Sequence, residues 1–181
     1  MRPVRATLCG FAILANLVAY AQPPEPEGYR IDGYRAPTPE TVAGANVLDT
    51  DAAHRLWENG TAVWIDVLPA PRRPANLPPP AVWMPLPHRD IPGSLWLPDV
   101  GRGALSPELE GYFRRHLEAA TGGRKDAAIV LYCLADCWMS WNAAKRAASW
   151  GYSQVFWYRD GTDGWEAAQF PMADAQPITG S

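Results

Sequence analysis

Apolar and polar positions along this chain follow two alternating periods. Residues 62–67, AVWIDV, are an apolar run broken only by Asp66. Such a run predicts a strand buried on both faces, as in a parallel sheet. Residues 127–132, AAIVLY, give the strongest strand signal. Val47-Leu48, the segment IPGSLWLP (91–98) and VFWY (155–158) supply shorter ones. Between these runs the spacing becomes helical. Asp49-Thr50 opens a short helix that Asn59-Gly60 stops. Ser106-Pro107-Glu108 opens a second, with Ser as cap and Pro in the first turn, running to about Ala120 before Gly122-Gly123. Leu109, Tyr112, Phe113 and Leu117 recur along it at helical spacing. Residues 138–150, rich in small Ala and closed by Gly151, predict a third helix, and DGTDGW opens a last short one. Strands alternating with helices predict an α/β fold, with a parallel sheet covered on both faces.

The remaining segments fit neither period. Residues 1–21 combine Arg2 and Arg5, an uncharged apolar stretch and Ala19-Tyr20-Ala21, which is the pattern of a secretory signal peptide. Cleavage is expected after Ala21, leaving Gln22 first and the protein in the periplasm, with no membrane segment after cleavage. Residues 22–45 are rich in Pro, Gly and charge and predict an extended N-terminal arm. Residues 69–87 contain eight prolines, so a long stiff loop is expected, pinned to the domain through Trp83, Met84 and Leu86. One domain is expected over 46–174, followed by a C-terminal tail, 175–181.

Composition narrows the chemistry. Without Arg2 and Arg5 the chain keeps fourteen basic against nineteen acidic residues, a net charge of −5. With no basic block, nucleic acid is not an expected partner. All nine Trp lie beyond residue 21, which indicates a packed core or an aromatic binding surface. Cys9 leaves with the leader, so Cys133 and Cys137 are the retained pair. Thiols so close together in an oxidising compartment point to chemistry, metal binding or a local disulfide.

Both cysteines fall in YCLADCWMSWNAAKR, residues 132–146, which reads as strand, cysteine, short loop, helix. A thiol at the end of a parallel strand and ahead of a helix sits in a field that favours an anion and lowers its pKa. Cys133 is therefore the nucleophile candidate, and Cys137 shares the helix opening. Cys133 is expected to point into a shallow pocket, with Cys137 on its rim.

The succession AVWIDV, IPGSLWLP, IVLYC with loop and helix, then GY..VFWYRDGTDGWEAAQFP resembles a rhodanese domain. The resemblance implies a three-layer fold with a five-strand parallel sheet. It implies a persulfide on the thiol of Cys133, cradled by the backbone N–H groups of Leu134, Ala135, Asp136, Cys137 and Trp138. CLADCWMSWNAAKR with WYRDGTDGW further resembles the exported PQQ-dependent catabolism-associated CXXCW motif proteins, although three residues separate the cysteines here. That implies a role beside periplasmic alcohol oxidation, with a quinoprotein dehydrogenase or cytochrome c as partner and a small thiol or persulfide as substrate. No cofactor or metal is implied.

The chain also departs from ordinary rhodaneses. Trp138 stands where a thiosulfate-holding Arg is usual, and Asp136 adds negative charge beside the thiols. Both predict poor thiosulfate use. Cys137 would resolve what Cys133 carries, and in a tight loop the two come within reach of a disulfide. The alternatives are a non-catalytic binding module, a structural disulfide, or copper handling by the dithiol with Met139.

Other candidates have structural readings. Asp66 is expected to brace a loop. His54, His88 and His116 show no ligand spacing and are expected at the surface or in loops. Asp160 and Asp163 suit a turn. Lys145 and Arg146 suit the end of a helix dipole. Trp138 and Trp141 are expected in the core.

Overall fold

The computed structural model describes residues 22–179. The predicted leader, residues 1–21, lies outside them. The elements run β1 (Asn46–Leu48), α1 (Thr50–Glu58), β2 (Val63–Asp66), β3 (His88–Asp90), β4 (Leu95–Trp96), α2 (Pro107–Thr121), β5 (Ala128–Tyr132), α3 (Trp138–Ser149), β6 (Gln154–Tyr158), α4 (Gly161–Ala167) and β7 (Ala173–Ala175). The expected helix signals act as read. Asp49 accepts from the Ala52 N–H, Ser106 accepts from the Leu109 N–H, and Gly122 closes α2 in the left-handed region.

Five strands form one parallel sheet in the order β1-β6-β5-β2-β4. Along β5 the side chains alternate between faces. Ile129 and Leu131 pack with Phe113, Leu117, Trp141 and Trp157 on the α2/α3 side. Val130 and Tyr132 pack with Ala53, Tyr158 and Trp165 on the α1/α4 side. Cys133 continues the first set, so the period of two places it against α3. Trp141, Trp157 and Trp165 are fully buried, which assigns these indoles to the core. Each such aromatic contributes about 1.5–3 kcal/mol through burial.

Two expectations need correction, and one small sheet was not foreseen. Met84 and Leu86 are 83% and 86% exposed, so only Trp83 of the named trio is even half-buried; the prolines leave this loop no backbone pattern to seat the others. A second, two-stranded antiparallel sheet pairs β3 with β7. Its strands are three residues each, too short to show a period. His88 is not a free loop residue: its side chain is 13% exposed and its Nε2 lies 2.6 Å from Asp66 Oδ2.

Residues 22–45 lie along α3. The Trp141 indole N–H donates to the Thr41 carbonyl and the Trp138 indole N–H to that of Pro37. Asn142 donates to the carbonyls of Arg30 and Gly101 and accepts from the Arg30 N–H. At the other terminus the Ile178 N–H donates to the Trp96 carbonyl.

Candidate functional site

The end of β5 delivers Cys133 to the carboxyl edge of the sheet, and four residues later α3 begins. Asp136 adopts a positive φ of 49°, a conformation that Asp tolerates better than most residues. This folds the loop back so that Cys137, the residue preceding α3, meets Cys133. The two are joined in a disulfide with Cα atoms 6.4 Å apart, within the usual span for such a bond. Both sides of the link are buried, Cys133 at 1% and Cys137 at 3% exposure.

The loop amides do not all converge on sulfur. The Ala135 N–H donates to Asp163 Oδ2 at 3.0 Å. The Trp138 N–H donates to the Tyr34 carbonyl at 2.9 Å, while Ala36 N–H donates to the Asp136 carbonyl. Ala135 and Trp138 therefore do not serve as sulfur-cradling donors in this disulfide form. A carboxylate of α4 and the N-terminal arm engage them instead. Asp163 is thus a brace of the cysteine loop as well as a turn residue. Asp160 accepts from the Thr50 hydroxyl, tying α4 to α1.

The backbone beneath the disulfide is held from the same side. The Thr162 N–H donates to the Cys133 carbonyl at 2.9 Å. Gly161 has φ of 54°, and a Cβ there would collide with that carbonyl. Only a glycine meets both demands.

A depression of about 350 Å³ opens beside the disulfide. Leu68, Pro69 and Met139 supply its apolar lining, Tyr34, Arg35 and Arg102 its polar lining, and Cys137 is the sulfur residue on it. Cys133 is not on this lining, which corrects the expectation that Cys133 faces the pocket. Period-two alternation turns its side chain toward α3, whereas Cys137 sits at the loop's outer end. Asp99 pairs with both Arg72 and Arg102, so one carboxylate serves two guanidiniums. Among the described residues no carboxylate pairs with Arg35. The exposed lining is mainly apolar, the Arg102 guanidinium is engaged by Asp99, and Asp136 lies on the cysteine loop.

Behind the pocket wall, Asp66 Oδ1 accepts from the Leu68 N–H, and its other oxygen holds His88. Asp66 is thus the loop brace it was read to be. Burial, and then the neighbouring Asp66 charge, push the Asp90 carboxyl up to about 6. Burial likewise pushes the Tyr132 phenol well above its usual range; it donates to Ser94 and accepts from the Ile91 N–H. Arg146 is 5% exposed and donates to the carbonyls of Val100, Arg102 and Gly103. It fastens the 100–103 loop rather than decorating a helix end. Lys145 donates to the Pro26 carbonyl, securing the arm. His54 stacks on Phe170, and His116 packs edge-on against Tyr112. Among the described residues no group of three or more His, Cys, Asp or Glu side chains is arranged to hold a metal ion. None of their helices is long and apolar enough to cross a membrane.

Sequence reading missed Tyr34, Arg35 and Arg102. Each stands in an irregular segment, and nothing in its local pattern announces a pocket shared with Cys137.

The family model for the rhodanese-like domain matches residues 49–168. No curated protein matches the chain in sequence. Among solved structures, a thiosulfate sulfurtransferase from Pseudomonas aeruginosa is 16% identical, with a TM-score of 0.51 over 74% of this chain. This chain spans only 21% of that one. A structure of EanB with hercynine is 19% identical, with a TM-score of 0.50, covering 78% of this chain and 34% of that one. A polysulfide-sulfur transferase from Wolinella succinogenes is 19% identical at a TM-score of 0.46, covering 74% and 82%. At these identities the likeness is one of fold.

Proposed function

This chain belongs to the rhodanese-like domain family, and from that premise we propose that it performs thiol chemistry outside the cytoplasm through Cys133 and Cys137. The observation that carries the reading is the disulfide itself, formed at the strand end and helix start where the resemblance puts the sulfur-bearing thiol. A rhodanese that works only through a persulfide needs one free thiol. Here the second cysteine closes on the first, which favours thiol–disulfide exchange, with sulfur transfer as the related alternative. The signal-peptide pattern of residues 1–21 supports export, and a disulfide is at home in an oxidising compartment. The likeness of CLADCWMSWNAAKR to the PQQ-associated group supports a role beside periplasmic alcohol oxidation, with a quinoprotein dehydrogenase or cytochrome c as partner.

A second reading, a binding module without catalysis, is favoured by the burial of both sulfurs and by the loop amides engaged elsewhere. Copper handling is the least supported, because the disulfide leaves neither cysteine as a thiolate ligand.

Thiol titration of the native protein before and after mild reduction separates the first two. Two thiols that appear on reduction and vanish on reoxidation, without unfolding, are expected. Cysteines that respond only after denaturation would put the binding module first. Thiosulfate:cyanide sulfurtransfer is expected to be weak, well below a kcat/KM of about 10⁶ M⁻¹s⁻¹. Exported protein is expected to begin at Gln22, read by N-terminal sequencing.

A further inference from the structure

We propose that the protein binds a small uncharged aromatic molecule bearing one hydroxyl, a phenol, in a second depression, where the free ring nitrogen of His88 accepts the hydroxyl hydrogen. This depression of about 340 Å³ lies between the two ends of the proline-rich loop and the end of β7. No residue lines both it and the depression beside Cys137, so the two sites stand or fall separately.

His88 supplies the acceptor. Its Nε2 lies 2.6 Å from Asp66 Oδ2, and its ring packs on Trp96 with centroids 4.1 Å apart. These two contacts fix the ring. The Asp66 carboxylate takes the hydrogen on Nε2, so in the neutral ring Nδ1 carries the lone pair. Among the described residues nothing donates to Nδ1. Their one buried polar side-chain atom without a partner is Thr38 Oγ1, so Nδ1 is not sealed in. His88 lines the depression, and Nδ1 is the atom it can offer there. A ring already held from two sides loses little freedom when a ligand arrives, which favours binding.

The walls decide what carries the donor. No Lys, Arg, Asp or Glu lines this depression. A charged ligand would give up its water there without meeting an opposite charge. Pro71, Pro85, Pro87 and Pro177 form much of the wall, and none has a backbone N–H to offer an anion. Proline rings pack on aromatic faces, as where proline-rich peptides meet aromatic grooves. Trp96 adds an aromatic wall and the exposed Leu86 an aliphatic lip. A volume of about 340 Å³ falls at the small end of ligand sites. One aromatic ring with one hydroxyl suits the size, the apolar walls and the single acceptor together. Gln176 stands exposed at the mouth.

Fluorine NMR of the folded protein, titrated at neutral pH with para-fluorophenol, fluorobenzene and para-fluorobenzoate, tests this. Para-fluorophenol should bind with a Kd on the order of a millimolar, as suits a ligand of so few atoms. Its hydrogen bond should make it about fivefold tighter than fluorobenzene, and para-fluorobenzoate should bind most weakly. On adding the phenol, the Nδ1 signal of His88 should move while the ring signals of His54 and His116 stay. Gln176→Trp, at an exposed position, should fill the mouth and abolish binding. His88→Gln keeps a donor for Asp66 and removes Nδ1, so the advantage of the phenol over fluorobenzene should fall to within about twofold. Equal affinity for fluorobenzene and para-fluorophenol in the wild-type protein, or an unmoved His88 signal, would overturn the hydrogen bond. Tighter binding of para-fluorobenzoate would overturn the uncharged class. Binding that survives Gln176→Trp, or no binding of para-fluorophenol, would overturn the site. Should His88→Gln fail to fold, the wild-type series and Gln176→Trp decide the question.

Discussion

Asp90 shows how one buried side chain makes stability depend on pH. Its carboxyl lies 4% exposed near Asp66 and His88, and its pKa is pushed from 3.8 to about 6. A folded pKa above the unfolded one means that the protonated acid is the form the fold prefers. The contribution of Asp90 is fully present below about pH 4 and is lost as pH rises through about 6. Asp90→Asn removes the charge that burial penalises. Urea denaturation should find the variant more stable than wild type at pH 7.5 by on the order of 1–2 kcal/mol, with the gap closing toward pH 4. A gap that does not change with pH would show that Asp90 does not titrate in this range. Glycine at 161 illustrates a different constraint, since φ and the Cys133 carbonyl both forbid a side chain.

The N-terminal arm is the element that closes the site. Tyr34 and Ala36 exchange backbone hydrogen bonds with the cysteine loop, and Arg35 pairs with Cys137 as an isolated antiparallel bridge. Removing residues 22–36 frees the Trp138 N–H at the start of α3 and uncovers Cys137. In the reduced protein, alkylation of Cys137 at neutral pH should rise several-fold. Unchanged alkylation would show that the arm does not limit access. Along α3, Trp141 is fully buried with its indole N–H on Thr41. Trp141→Ala should cost about 3–5 kcal/mol in urea denaturation.

On the scale of the whole molecule, the disulfide closes a short loop, with a sequence separation of 4. A loop of that length restrains the unfolded chain little, so reduction should lower stability by only about 2 kcal/mol. Urea denaturation with and without reductant measures this. A loss near that size leaves the reduced protein folded, as a cycling dithiol requires. Unfolding on reduction would mark the bond as structural.

The order of strands and helices was legible in the chain because each is announced locally. AVWIDV and AAIVLY are apolar without a break long enough to expose a face, and Ser106-Pro107 and Gly122-Gly123 delimit α2 by backbone chemistry alone. The strand–cysteine–loop–helix motif was legible for the same reason, and it located Cys133 and Cys137. The direction in which each sulfur faces was not. It depends on which side of β5 the α2/α3 layer packs and on where Asp136 turns the loop, and both follow from the assembled core. The second sheet escaped notice because three-residue strands carry no period. Arg35 and Arg102 come from segments far apart in sequence with no periodicity of their own. Folding alone sets them beside Cys137, since long-range packing, not local spacing, places irregular backbone.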